Sequence, residues 1–469
     1  MFSENFYRRR WIAKFATFVL LAGSLATRAQ SIYTARINPN AVLVNHFEGW
    51  GTSLCWWANV VGGFSNRMDY ASLAFSTLKL NIVRYNIGGG ENPNLTNTME
   101  FRARIPGFEP SRNVRDWNAD KNQRWMLRQA IALGADRVVA FANSPPWWMT
   151  VSGSVTGSSS GTNNNLKTAD EKLFADYLVN AVSNLTALDG VHFDFVAPMN
   201  EPTANWWKLG GRQEGCHMDA AQQARVVSAL RAALDARKIS AGIQASEDNA
   251  EQETIHSVAA YGASQSNVAI IATHTYNANN PDGIRHLAAA LDKPVWVSEY
   301  GDGDASGMKM ARRIRDDITE LRARAWIYWQ VVDGGGWGFL RNRLNGRNSD
   351  FSLNKKFYVM AQFSQFIRPG FQILDVNDNN SLAAYQPTNS TLIIVAINDR
   401  RQSLEVTYDL QTFATLTAEI AASRTSPAEN EATISPYSVT NKSFTATLIP
   451  RSVTTFTLRN ITLRNITTH

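Results

Sequence analysis

Between Asn45 and Ile367 short apolar, β-rich runs alternate with amphipathic stretches about eight times, and this alternation restricts the fold more than any other feature of the chain. The runs are His46–Leu54, Ile82–Ile87, Arg137–Asn143, Phe193–Pro198, Ser240–Ala245, Val268–His274, Val295–Ser298 and Ala325–Gln330. Ala169–Leu188, Ala220–Arg237, Gly307–Arg322 and Phe357–Ile367 instead carry apolar residues near the 3.6 period of a helix with one buried face. Asp170 and Asp219 stand where helix N-caps belong. Strands that read as unbroken apolar runs are covered on both faces, as in a parallel sheet flanked by helices. The expected fold is therefore α/β, a (β/α)8 barrel over 45–369.

After Gly370 the texture changes. Gln372–Ala384, Leu392–Ile397, Ser403–Leu410, Leu416–Ala421, Phe444–Leu448 and Thr454–Leu458 are short segments separated by Asn, Asp, Ser and Pro, the signature of an antiparallel β-sandwich over 370–469. The stretch 30–44 has a β-like run of its own and is expected to pair with that sandwich. At the start, Arg8, Arg9, Arg10 and Lys14 precede an apolar run from Phe15 to Leu25 and small residues up to Ala29, which reads as an export signal over 1–29. No later stretch reaches the roughly 18 apolar residues of a membrane span. The expectation is a protein secreted to the extracellular space, or to the periplasm of a bacterium, with no membrane contact in its mature form.

Cys55 and Cys216 are the two cysteines, too few for a disulfide framework and too far apart for a metal site. Asn94, Asn184, Asn389 and Asn460 head sequons that matter only in a eukaryotic secretory pathway. The net charge of +6 comes without a basic run interleaved with aromatics, so no nucleic-acid partner is expected. Asp302 and Asp304 fall short of a calcium loop, and neither a phosphate loop nor a nucleophile elbow is present, so no metal and no cofactor is expected.

Catalytic groups of such a barrel project from the C-terminal ends of its strands. Two carboxylates stand there: Glu201, after the fourth strand in Pro198-Met199-Asn200-Glu201-Pro202, and Glu299, ending the seventh in Val297-Ser298-Glu299-Tyr300-Gly301. Glycoside hydrolysis needs such a pair, one group protonating the leaving oxygen and one attacking the anomeric carbon or activating water. A nucleophile must stay ionised, and Arg84 at the end of the second strand is a cation suited to that. Aromatics gather at the same ends: Trp56 and Trp57, Trp147 and Trp148, Trp206 and Trp207, Tyr276, Trp329 and Trp337. An indole face on a pyranose offers a large rigid contact, so these are candidate sugar shelves. Asn86, Asn200 and His274 complete the candidate binding set, with His274 equally readable as a structural histidine. Glu247 and Asp248 are the rival carboxylates at the rim.

With Gly49-Trp50-Gly51-Thr52-Ser53, Arg84-Tyr85-Asn86-Ile87-Gly88-Gly89-Gly90, Asn143-Ser144-Pro145-Pro146-Trp147-Trp148, Met199-Asn200-Glu201-Pro202, Gln213-Glu214-Gly215-Cys216 and Ser298-Glu299-Tyr300-Gly301, the sequence resembles glycoside hydrolase family 30, and within it the endo-β-1,6-galactanase branch. The resemblance implies a retaining enzyme in which Glu201 is acid/base, Glu299 the nucleophile and Asn200 a partner of the sugar 2-hydroxyl. Cys55 departs from the small residue the family carries there, which argues against a bridge to Cys216 as a shared feature. The implied activity is that of a monomeric endo-β-glycosidase on the β-1,6-galactan side chains of arabinogalactan. Another β-glycan or β-glucoside (β-1,6-glucan, glucuronoxylan, glucosylceramide), or a binding protein on a silent barrel, stand as the alternatives.

Overall fold

The computed structural model describes residues 32–463 except 417 and 418. The expected export signal over 1–29 lies outside the described residues. A 12-residue strand, β1 (Tyr33–Val44), leads into eight parallel strands: β2 (Gly49–Ser53), β3 (Ile82–Asn86), β4 (Arg137–Phe141), β5 (Phe195–Ala197), β6 (Gly242–Asp248), β7 (Val268–His274), β8 (Val295–Tyr300) and β9 (Ala325–Gln330). They close in sequence order into a barrel. Around it run α1 (Trp57–Val61), α2 (Arg67–Ala71), α3 (Lys121–Ala132), α4 (Glu171–Asp189), α5 (Ala220–Ala236), α6 (Glu251–Ala259), α7 (Pro281–Leu291), α8 (Met308–Thr319) and α9 (Lys355–Ser364). Ile82, Val139, Phe141, Ile270, Trp296 and Ile327 fill the barrel interior. Both β6 and β8 run beyond the apolar stretch that marked them, which puts Glu247 and Glu299 inside strands.

The two candidate N-caps differ. Asp219 accepts the amide of Gln222 at 2.8 Å and caps α5. Asp170 precedes α4 but its carboxylate turns to the Arg112 guanidinium at 2.8 Å and makes no cap. Asp219→Ala should therefore lower stability by about 1 kcal/mol in thermal or denaturant unfolding. Asp170→Ala should cost less, because an exposed arginine pair contributes little.

β10 (Val332–Asp333), β11 (Leu340–Arg341) and β12 (Ser352–Leu353) form a small sheet in the loop after β9. The C-terminal sandwich comprises β13 (Gln372–Val376), β14 (Ser381–Gln386), β15 (Thr391–Asn398), β16 (Leu404–Asp409), β17 (Phe413–Thr415), β18 (Glu419–Thr425), β19 (Ala432–Ser438), β20 (Ser443–Leu448), β21 (Ser452–Leu458) and β22 (Thr462–Leu463). β1 pairs antiparallel with β13 and parallel with β16, the parallel exception in a mostly antiparallel sheet. In β15, Leu392, Ile394 and Ala396 face the sandwich core, while Ile393, Val395 and Ile397 face the barrel's helical layer. That two-sided burial explains why this strand reads as a continuous apolar run. Gln362 of α9 fastens the seam, bonding Ser423, Thr425 and Thr455.

Candidate active site

Glu201 lies in the turn after β5 and Glu299 near the end of β8, and both face one cleft of about 560 Å³. One oxygen of each, together with a ring nitrogen of His274, lie within 4.8 Å of one another. The backbone at Glu201 and Glu247 is left-handed, with φ of +46° and +65°, and the Glu201 amide donates to the Glu247 carbonyl at 2.7 Å. Such conformations cost free energy and are kept where the surroundings over-determine them.

Beneath the cleft a buried charge network surrounds the pair. Arg84 donates from Nη1 to Glu299 Oε2 at 2.7 Å and from Nη2 to Glu247 Oε2 at 3.1 Å, and its guanidinium stacks on Phe141. Tyr276 donates its hydroxyl to Glu299 Oε1 at 2.9 Å. Glu201 Oε1 accepts from Asn249 Nδ2 at 2.6 Å and sits 3.2 Å from His274 Nδ1, whose other nitrogen is 3.3 Å from Glu247. Burial alone would lower the His274 pKa, but Glu299, Glu201 and Glu247 outweigh it and raise it to about 10. Burial would likewise raise Glu247, yet Arg84 and His274 hold it below the usual carboxylate range. His274 thereby links Glu201 and Glu247 in one buried hydrogen-bond network.

Of the candidate residues, Trp56, Asn200, Glu201, Trp206, Trp207, Tyr276, Glu299, Trp329 and Trp337 line the cleft. Arg84 and His274 lie fully buried below it and touch the carboxylates directly. Four others do not line it. Trp57 turns inward from α1 and donates to the Ser53 carbonyl. Trp147 and Trp148 pack under the preceding loop, donating to the Pro110 and Glu109 carbonyls. Asn86 is buried behind Asn143 and bonds the Glu214 carboxylate. Sequence places all four at strand ends, but which side of a turn faces solvent depends on loops remote in the chain. The rivals are accounted for as well: Glu247 is buried against Arg84, and Asp248 accepts from Ser246 and Thr203. Asp302 pairs with Lys356, and Asp304 accepts the Ser306 and Lys309 amides. Cys55 and Cys216 are both unbridged.

The candidate set lacked Asn249, one residue beyond the rival carboxylates, and the polar group Arg102, Gln330 and Asp333, all of which line the cleft. It also lacked the role of Glu214, whose carboxylate accepts the Gly89 amide at 2.8 Å and the Asn86 amide. Burial pushes Glu214 up to about 8 despite those donors, and Asp120, bonded to Tyr85 and Gln123, up to about 7. Glu214 thereby ties the long loop before α5, which carries Trp206 and Trp207, to the glycine turn after β3.

The model of O-glycosyl hydrolase family 30 matches residues 34–291. Endo-beta-1,6-galactanase of Hypocrea rufa is 32% identical over 474 residues, covering 93% of this chain and 97% of that protein. Among solved structures, a conserved exported protein from Bacteroides fragilis superposes with a TM-score of 0.77 at 20% identity, covering 90% of this chain and all of that one. The catalytic domain of GH30 xylanase C from Talaromyces cellulolyticus gives 0.71 at 22% identity, covering 91% of this chain and 100% of that one. With the barrel, the sandwich and a carboxylate pair at the strand ends in place, the chain belongs to glycoside hydrolase family 30 and is an O-glycosyl hydrolase.

Proposed function

We propose that the protein is a secreted, retaining endo-β-1,6-galactanase working by double displacement. In the first step a Glu299 oxygen bonds the anomeric carbon as the bond to the leaving oxygen breaks, and Glu201 delivers a proton to that oxygen. In the second, water attacks the same carbon, Glu201 takes its proton, and Glu299 departs as carboxylate. Arg84 and Tyr276 each donate to Glu299 and so fix the aim of its carboxylate. Asn200, whose carbonyl faces Arg84 at 3.4 Å, keeps its NH2 group for the sugar 2-hydroxyl.

The observation that carries the mechanism is the approach of the two carboxylates to within 4.8 Å. Retaining enzymes hold their pair at about 5–5.5 Å, whereas inverting ones need about 6.5–9.5 Å to admit a water. Support for the sugar comes from the galactanase relative, aligned over nearly the full length of both chains. A second reading keeps the mechanism and changes the glycan, since a xylanase of this family shares the fold and the loops, not the carboxylates, select the sugar.

A panel of β-1,6-galactan, β-1,3-galactan, β-1,6-glucan and glucuronoxylan, with products resolved by length, tests the substrate. The expected result is internal cleavage of β-1,6-galactan alone. Proton NMR of the earliest product should show the β anomer first. An initial α anomer would overturn retention.

A further inference from the structure

Two tryptophans among the described residues are exposed, Trp206 at 48% and Trp337 at 43%, and both line the catalytic cleft. Both exposed indoles thus fall at the one cleft that holds the carboxylate pair, where a rigid aromatic face offers a sugar ring a large contact area. We propose that they are saccharide platforms on opposite sides of the scissile bond, Trp206 under the leaving chain and Trp337 under the chain transferred to Glu299. This rests on the roles assigned above to Glu201 and Glu299.

The side of each follows from its attachment. A proton donor must stand at the leaving oxygen, so the departing sugar lies on the Glu201 side. Trp207 follows Glu201 in the same turn, donates its indole N–H to the Glu201 carbonyl at 2.9 Å, and carries Trp206 edge-on with ring centres 5.9 Å apart. A nucleophile bonds the anomeric carbon, so the retained sugar lies on the Glu299 side. Trp337 packs over Gly301 and Gly303, just after Glu299, and a Cβ added to either would come within 3.3 Å of its indole.

Both platforms are held in place before any sugar arrives. A Cβ on Gly215 would meet the Trp207 ring at 2.1 Å, and one on Gly157 the Trp207 backbone at 2.1 Å, so the loop beneath Trp206 docks where only glycine fits. The Ser158 amide then donates to the Trp207 carbonyl. On the other side the ammonium of Lys356, fully buried, donates to the Asp302 carbonyl at 2.7 Å, the Asp302 carboxylate at 2.9 Å and the Gly336 carbonyl at 2.9 Å. Tyr328 donates its hydroxyl to the Trp337 carbonyl at 2.6 Å. Lys356 is thus a positioning residue joining the loop after Glu299 to the loop that bears Trp337. Platforms fixed in advance lose little freedom on binding.

The test compares kcat/KM for β-1,6-galacto-oligosaccharides with that for nitrophenyl β-1,6-galactobioside, whose leaving group is not a sugar. Trp206→Ala should lose about tenfold more on the oligosaccharides than on the nitrophenyl glycoside, in keeping with one lost aromatic contact, and Trp206→Tyr should recover most of the difference. Trp337→Ala should lose about tenfold on both, in equal proportion. Because each ratio is taken within one preparation, a partly unfolded variant leaves it unaltered. Equal losses on both substrates for Trp206→Ala, or a selective loss for Trp337→Ala, would overturn the assignment. If the wild type spares galactan but cuts another glycan of the panel, the galactan reading fails, and the same ratios on that glycan and its nitrophenyl glycoside decide the platforms.

Discussion

Glu299→Ala should abolish turnover on every substrate, with kcat falling by on the order of 10⁴-fold or more, because no other group can bond the anomeric carbon. Glu201→Ala should fall on the order of 10²–10⁴-fold on glycans, whose alkoxide must be protonated to leave, and far less on a dinitrophenyl glycoside, which departs unaided. Azide then separates the roles. In Glu201→Ala it enters the cavity left by the side chain, attacks the glycosyl-enzyme from the leaving-group face and gives a β-glycosyl azide. In Glu299→Ala it replaces the carboxylate beneath the ring and gives the α product. The opposite pattern would exchange the assignments of the two residues.

Arg84→Met should be nearly as damaging, and it should unfold the protein more readily. The guanidinium bridges Glu299 and Glu247, and both are buried. Removing one partner of a buried pair leaves charge uncompensated, at about 3–5 kcal/mol of stability. Arg84→Lys keeps the charge but not the fork that reaches two carboxylates, so kcat and the unfolding midpoint should both fall between wild type and Arg84→Met. The His274 imidazolium then carries the remaining compensation, which gives a pH signature. Its pKa is raised to about 10 in the folded protein, so the stability it supplies is complete below about 6.5, the unfolded value. That contribution is lost as pH rises through about 10. Unfolding midpoints measured from pH 6 to 10 should decline in wild type, and the decline should be steeper in Arg84→Met. A flat profile in both would refute the charge network.

What the sequence disclosed follows from where the information sits. Glu201, Glu299 and Arg84 were readable because a barrel strand delivers its last residues to one rim whatever the loops do. Trp57, Trp147 and Trp148 were misplaced because a turn residue's outward or inward aim depends on the segment folded over it, here the carbonyls of Glu109 and Pro110 for the latter two. Glu247 reads from sequence as a rival carboxylate at the rim, and only the meeting of β3, β6 and β7 makes it the buried counter-charge of Arg84 and His274. The strand β19 went unseen because Pro436 interrupts it and its alternation runs for only four residues, Ala432–Ser435. Asp170 looked as good a cap as Asp219, and the difference lies with Arg112, 58 residues away.

The strand β1 has a mechanical consequence. Its Arg36 bonds Asn377 and Asp409, 341 and 373 residues further along, while β21 near the other end lies inside the same sheet. The barrel is therefore a loop clasped at its base by the sandwich. A pull applied between residues 33 and 458 is borne by the ladders of β1 with β13 and β16, and no force reaches the barrel strands while those ladders hold. Under traction the sandwich should fail first, at a rate set by its own unfolding barrier. Until it fails, the buried charges around Glu201 and Glu299 keep their spacing, because the load path runs past the catalytic domain.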